Sequence, residues 1–294
     1  MLNLLRAEIL KYSRLKLILF IAFSPVLITL LVVGAMLILK VAGVDFGNIP
    51  VGGVGLLEIG GGTFGLAANI IIVGVNGIYL IGLVITGAMV GSNEYGWHTI
   101  KMLATREASR PRLMLSKTLF LLTMAVFMAG MAALCWLFMG LLFKAIYDAG
   151  DTGNLDGDAI GKGLLYLLFS FGVNFLWSSM AMFLAVRFKS VVVAIIFYFI
   201  VNTLDGIVSS LGEAALSGQL GTNFPNWLEP LINVAKFISP FLVNFSLNQL
   251  TVTPTNRNFV ESVPAVQSIL VLLAWIGLYI WAAVAVFRRR DITE

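Results

Sequence analysis

The amino-acid sequence predicts an all-α polytopic membrane protein with six transmembrane helices, and three observations support this fold class. The chain of 294 residues is 59% hydrophobic and only 12% charged, whereas an average soluble domain has about 25% charged residues. Six stretches are long and apolar enough to cross a bilayer as helices, which takes about 20 residues each. Lys and Arg residues are concentrated in alternate connecting segments, as is typical of multi-pass membrane proteins.

The six predicted spans belong to one transmembrane domain that covers residues 1–294. They must be helical, because backbone N–H and C=O groups find no water in hydrocarbon. The composition excludes a soluble enzyme, a disordered chain and a disulfide scaffold, since Cys135 is the only cysteine. The predicted spans are residues 17–39, 66–91, 118–143, 164–186, 191–211 and 266–287.

Residues 1–16 precede the first span and are predicted to form an interfacial helix. One helical face would carry most of the apolar side chains and the opposite face the basic ones, with Glu8 and Lys16 interrupting the apolar face. Such a helix lies on the membrane surface; the alternative is a plain extension of the first span. The apolar face holds Leu2, Leu4, Leu5, Ile9, Tyr12 and Leu15, and the polar face Arg6, Lys11, Ser13 and Arg14.

The distribution of basic residues predicts the orientation of the chain. Of the 19 Lys and Arg residues, 14 lie in the two terminal segments, the loop 92–117 and the short loop after span four. The other five lie in the remaining loops. By the positive-inside rule, both termini are therefore expected in the cytoplasm. The expected location is the plasma membrane of a bacterial cell.

Three connecting segments are expected to have structure of their own. In the inner loop 92–117, Pro111 disfavours helix at Arg110, so we expect a short helix over about residues 94–105, a break, and then span three. The outer segment 212–265 is too long for a structureless loop and has an apolar run broken by prolines, so it predicts one or two short helices that dip into the outer leaflet. The Gly-rich stretch 52–65 predicts a flexible or re-entrant entry to span two.

Polar and small residues inside the spans are the candidates for function. Asp205 is the only ionisable residue in any predicted span, about 21 Å into span five, and a centred Asp costs about 2.5–3.5 kcal/mol. Asn202 lies on the same face. The pair predicts either a polar patch at a pathway or subunit contact, or a helix end that reaches water. Gly87 and Gly91 form a G-x-x-x-G pair, which favours close packing within the chain over a dimer contact.

The sequence lacks the motifs of the common catalytic and cofactor sites. The sequence has no G-x-x-x-x-G-K-[ST] motif, so we expect no P-loop ATPase in this chain. His98 is the only histidine, so a histidine-based metal cluster cannot form. We therefore expect no catalytic residues, no metal, no cofactor bound by this chain and no nucleic-acid partner.

The inner loop resembles the signature of ABC type-2 exporter permeases. The resemblance rests on Glu94–Tyr95, Trp97, Thr99–Ile100–Lys101, Arg106, Ser109–Arg110 and Lys117. The N-terminal Leu4–Leu5, Glu8, Lys11 and Arg14 also look like that family's opening helix, and the predicted layout of spans and loops is similar throughout the chain. His98 stands where the family commonly has Gly.

The resemblance implies a permease subunit that works with two separate ATPase subunits, on which ATP and magnesium bind. It also implies a second permease subunit, in a homodimer or a heterodimer. The loop 92–117 would then be the cytoplasmic coupling loop, with apolar anchors, basic residues for register and a Glu that holds the loop; the alternative is a positive-inside loop without a partner. The candidate coupling residues are Glu94, Tyr95, Trp97, Lys101, Met102, Arg106 and Arg110.

The predicted function is export of an amphipathic or lipophilic substrate, such as an antimicrobial peptide, a drug or a lipid, which would connect the protein to antibiotic resistance. The absence of charge along the spans favours such a substrate over an ion or a sugar. The alternatives are an ion-coupled secondary transporter or channel, and an intramembrane enzyme. Both would need more ionisable residues inside the spans than Asp205 alone.

Overall fold

The computed structural model describes residues 2–41, 75–96, 110–147, 157–217, 229–251 and 264–289. Within these ranges the regular structure is entirely helical, which confirms the all-α prediction. A five-residue π-helical turn, Val75–Tyr79, precedes the fourth helix, and a 3₁₀ turn, Ser239–Phe241, follows the eighth. The helices are α1 Leu2–Ser13, α2 Lys16–Ala22, α3 Ser24–Val41, α4 Leu80–Gly96, α5 Arg110–Tyr147, α6 Gly157–Phe188, α7 Val191–Leu216, α8 Glu229–Ile238, α9 Val243–Thr251 and α10 Ala265–Arg289.

Four of these helices are each long and apolar enough to cross a membrane: α5, α6, α7 and α10. Two bent pairs also qualify if each pair counts as one span, namely α2 with α3 and α8 with α9, which bend by 58° and 66°. The described part of predicted span two, Gly77–Asn93, is apolar but shorter than a full span. The described residues thus hold between four and six spanning units, and the count of six spans stays a prediction.

The bend in the first span follows from Pro25. Proline has no N–H, so the carbonyl oxygen of Ile21 loses the helical hydrogen bond that it would accept from residue 25. The Ser24 hydroxyl donates to that carbonyl oxygen instead, at 2.7 Å, and both side chains are buried. The Ser24 hydroxyl therefore replaces the partner that the Ile21 carbonyl loses at the kink.

Several helix ends differ from the predicted ones. Glu94 lies in the last turn of α4 and does not begin a separate helix, and the rest of the expected helix 94–105 is outside the described residues. Arg110, expected to be non-helical, is the first residue of α5. Pro111 then lies in the first helical turn, where its missing N–H needs no partner. The Gly-rich stretch 52–65 lies outside the described residues.

The two-residue turn between α6 and α7 makes these helices antiparallel neighbours. Lys189 adopts φ 56° there, and the Ser190 hydroxyl caps α7 by accepting from the Val193 N–H at 3.4 Å. Helix α7 continues to Leu216, five residues beyond the predicted end of span five at residue 211. This extension brings Glu213 into the helix.

Helix α6 is the centre of the bundle and contacts α4, α5, α7 and α10. Its contact with α4 depends on two glycines. A methyl group at Gly87 would overlap the carbonyl oxygen of Ser178, and one at Gly91 would lie 2.7 Å from that of Met182. The G-x-x-x-G pair therefore allows close packing within the chain, as the sequence predicted.

Candidate functional site

Two polar clusters lie at opposite ends of the helical bundle, and the first is near the predicted coupling segment. Within that segment the structure describes the side chain of Tyr95, which is half-buried and packs against the main core. Glu94 belongs to α4 and Arg110 begins α5, but their side chains are not described. The other candidate coupling residues lie outside the described residues: Trp97, Lys101, Met102 and Arg106.

Lys117 connects the two helices on either side of this segment, α4 and α5, and joins both to α1 through a buried ion pair. The Lys117 ammonium of α5 lies 3.5 Å from Oε1 of Glu8 on α1 and donates to the carbonyl oxygen of Val90 on α4 at 3.1 Å. Lys117 is 2% exposed and Glu8 6%. Because an unpaired charge is very costly when buried, each group depends on the other. We call this contact of Glu8, Val90 and Lys117 the Glu8–Lys117 junction.

The junction lies on the predicted apolar face of α1, which is the face that packs on the protein. Glu8, which was expected to interrupt this face, lies at its centre together with Tyr12, which stacks on Phe120 of α5 with ring centroids 5.0 Å apart. Leu10, in contrast, is 56% exposed. The face that packs on the protein is therefore set by the position of Lys117 and not by hydrophobicity alone.

The second cluster is a polar stripe on α7 that faces α9. Its three members, Asp205, Ser209 and Glu213, are spaced four residues apart and are all buried. Residues at this spacing share one helical face. Asp205 was singled out from the sequence, whereas Glu213 was missed because span five was predicted to end at residue 211. The four-residue spacing from Asp205 was the signal that could have found it.

The stripe pairs with the first turns of α9. The Asp205 carboxylate accepts from the backbone N–H groups of Val243, at 3.2 Å, and Asn244, at 2.9 Å. The Ser209 hydroxyl accepts from the Phe245 N–H at 3.2 Å. These N–H groups have no partner inside their own helix, so the side chains of α7 cap α9. A carboxylate at a helix N-terminus is also favoured by the helix dipole.

Two further contacts hold residues 229–251 to the bundle. These residues form the bent pair of helices α8 and α9, which we call the α8–α9 hairpin. The Asn248 amide donates to Oε1 of Glu213 at 2.8 Å, and the Trp275 indole of α10 donates to the carbonyl oxygen of Phe241 at 2.9 Å. Gly212 lies against Ser239 so closely that a methyl group there would overlap it. The hairpin is thus tied to both α7 and α10.

The structure places Asp205 against protein, within its own chain. Asn202 is half-buried one turn earlier on α7. Their predicted role in a pathway or a subunit contact stays a prediction. No group of three or more His, Cys, Asp or Glu residues that could hold a metal ion occurs in the part of the chain that the structure describes.

The fold and these two clusters define a class: a polytopic helical membrane protein whose buried charges join helices to one another. Residues 4–205 match the family model described as ABC-2 family transporter protein, which covers most of the chain, and the protein therefore belongs to this family. No curated protein matches the chain. The resemblance inferred from the inner loop is confirmed.

Family membership makes the chain a permease subunit of an ABC transporter, with an ATPase partner that carries the nucleotide-binding domain on a separate chain. The matched range contains α1, α4 and α5, and with them the Glu8–Lys117 junction and the predicted coupling segment. It ends at Asp205, so Glu213 and the α8–α9 hairpin lie beyond it.

Replacing Lys117 with Met is expected to destabilise the protein by about 3–5 kcal/mol, because the Glu8 carboxylate would stay buried without its cation. Thermal unfolding of the purified protein in detergent measures the effect. The double variant Glu8→Gln, Lys117→Met should recover part of the loss, since neither charge then remains. Arg14→Met, which removes an exposed cation beyond α1, is the control. A Lys117→Met protein as stable as this control would contradict the assignment.

Replacing Asp205 with Leu is expected to free the first turn of α9, at a cost of about 1–3 kcal/mol for each N–H group left unpaired. Hydrogen–deuterium exchange of the Val243 and Asn244 amides should accelerate. Asp205→Asn, which keeps one carbonyl oxygen as an acceptor, should have an intermediate effect. Ser210→Ala is the control, because the exposed Ser210 hydroxyl donates to the Ile207 carbonyl oxygen of its own helix. Unchanged exchange in Asp205→Leu would show that the carboxylate does not cap α9.

Proposed function

We propose that the protein is the membrane subunit of an ABC exporter that moves an amphipathic or lipophilic substrate outward. The observation that carries this proposal is the family match over residues 4–205. The substrate class is inferred from the buried charges on the long helices, Lys117, Asp205 and Glu213, which are all engaged with groups of the same chain. They offer no free buried charge to a hydrophilic ion or sugar.

Antimicrobial peptides, drugs and lipids all fit this chemistry. Each has an apolar part that can travel along uncharged helices, and export of the first two would confer resistance on the cell. Mass spectrometry of molecules that co-purify with the protein would identify the class.

The proposed complex has two permease subunits and two ATPase subunits, with ATP and magnesium bound by the ATPases. A pathway between two helical bundles needs a second bundle, supplied either by another copy of this chain or by a related one. Helices α7 and α10 bury little of their surface within the chain and leave large apolar faces available. Size measurement of the purified complex would establish the number of subunits.

Residues 94–112 are proposed to dock on the ATPase. The segment leaves α4 at Gly96 and enters α5 at Arg110, and the Glu8–Lys117 junction joins these two helices to α1. A force applied to the segment would therefore reach three helices together. The position of the junction, within two turns of the start of α5, supports this role.

The side chains of the segment have distinct proposed roles. The aromatic and Met residues would anchor in apolar pockets of the partner, since aromatic side chains dominate interface hot spots. The basic residues would set the register by pairing with carboxylates or lipid phosphates. Glu94 would hold the loop at the end of α4. The anchors are Tyr95, Trp97 and Met102, and the basic residues are Lys101, Arg106 and Arg110.

Charge reversal at Arg106 is expected to leave membrane insertion intact but to weaken ATPase binding and stimulation, because the carboxylate partners would then repel it. Trp97→Ala should have the same effect through lost packing. Co-purification of the ATPase and its stimulated hydrolysis rate are the measurements. Lys189→Glu reverses an exposed charge in the short turn between α6 and α7 and serves as the control. If both variants bind the ATPase and stimulate its hydrolysis like the wild type, residues 94–112 do not transmit motion from the ATPase to the permease.

Both termini are proposed to lie in the cytoplasm of a bacterial cell, with the protein in the plasma membrane. In a Cys135→Ala background, single cysteines at Asp156 and Thr293 test this with a membrane-impermeant reagent on intact cells. Because Asp156 follows span three, we expect it to react from outside and Thr293 to react only after permeabilisation. Reaction of both positions in intact cells would reject the topology.

A further inference from the structure

A cavity of about 460 Å³ lies between α7, α8 and α10. Leu204 and Val208 of α7 form one wall, and Val234 and Ala235 of the α8–α9 hairpin form the facing wall. Trp275 of α10 closes one side. Ligand sites in proteins commonly have volumes of about 300–1,000 Å³, so this space is large enough for a molecule or for part of one.

The chemistry of the cavity favours a hydrocarbon occupant. Its lining is almost entirely apolar or aromatic. The carboxylate on its wall, Asp205, already accepts two backbone N–H groups of α9, and the Trp275 indole already donates to Phe241. A buried water needs two to four polar partners, and a charged ligand needs an opposite charge. The other polar groups of the lining are the Tyr279 hydroxyl and the Trp177 indole N–H, which is buried without a partner among the described residues. These groups offer few partners to a water, and the lining holds no cation.

The mouth of the cavity determines where its occupant comes from. Leu204 and Leu231 line the cavity and are 57% and 59% exposed. Leu204 belongs to α7, which is long and apolar enough to cross the membrane. Exposed apolar side chains on such a helix contact either the hydrocarbon of the bilayer or the second permease subunit, so the occupant comes from one of these two.

The size of the cavity selects among the molecules that the bilayer contains. A helix with its side chains is about 10–12 Å wide, so the cavity would hold only about one turn of a helix from a second copy of this chain. An acyl chain is a single file of methylene groups and can enter lengthwise. It would also restore the van der Waals contacts that the facing walls lack across the gap.

We propose that this cavity is a binding site for one acyl chain of a membrane phospholipid. The lipid fills the gap between α7 and the α8–α9 hairpin and completes their packing. The site goes beyond the proposed export function, because the lipid is a resident component of the fold and not the transported molecule.

The test uses the full chain reconstituted into vesicles of phosphatidylglycerol and phosphatidylethanolamine. The vesicles contain a small fraction of phosphatidylcholine with a diazirine near the end of one acyl chain. The protein is dissolved in excess detergent to remove loosely held lipid, irradiated, and digested for peptide mapping. We expect attachment to cavity residues on both walls, such as Val208 and Ala235.

Two matched variants make the test specific. Val208→Trp fills the cavity from α7 and should abolish attachment, whereas Ile207→Trp places the same side chain on the exposed face of the same helix and should leave it unchanged. If Val208→Trp does not fold, Val234→Trp fills the cavity from the hairpin.

Three results would overturn the proposal. Attachment that persists in the filled variants would place the lipid elsewhere, and attachment that is equally strong at Ile207 would mean general contact with the bilayer only. Lack of attachment in the wild-type chain would also overturn the proposal, and a disulfide between two copies that carry Leu204→Cys in a Cys135→Ala background would then show that a second copy covers the mouth.

Discussion

The absence of water from the bilayer core and from the buried interior of the bundle is the constraint on which the arrangement of these helices depends. A buried polar group there must find its partner within the protein. Lys117 meets this requirement with Glu8 and Val90, and Asp205 meets it with two N–H groups of α9. The bend at Phe23 follows the same rule, because the Ser24 hydroxyl donates to the Ile21 carbonyl oxygen, which cannot accept a hydrogen bond from Pro25. Each polar contact fixes one helix relative to another at a defined point.

The two polar clusters divide the bundle into regions with different tasks. Helix α5 begins near the junction, α6 returns, and α7 proceeds away again, so Asp205 and the α8–α9 hairpin lie towards the other end. Next to the junction, α4 and α6 are in close backbone contact at Gly87 and Gly91. Contacts this close leave little room for one helix to move without the other. A displacement of α4 at the end that is proposed to meet the ATPase would therefore act on α6, which contacts α7 and α9 as well.

Hydrophobicity and helix rules predicted much of this fold, because they act within a short stretch of sequence. The apolar spans, the helices in segment 212–265 and the close approach at Gly87 could all be predicted. The cost of a charge in hydrocarbon also singled out Asp205. Its partners could not be predicted, since capping of α9 depends on residues 38 positions away. The Glu8–Lys117 pair was missed for the same reason, because its two residues are far apart in the sequence. Glu213 was missed because a hydropathy boundary ended the helix too early.

The ion pair at the junction restricts how α1 can move along α5. Apolar contacts alone are compatible with several registers at similar energy, whereas a buried ammonium and carboxylate 3.5 Å apart have one favourable register. Sliding α1 along α5 by one turn, about 5.4 Å, would separate Lys117 from Glu8 and leave both charges unpaired. The stack of Tyr12 on Phe120 one turn away defines the same register. A displacement of α5 would therefore carry α1 with it, which is what coupling through residues 94–112 requires.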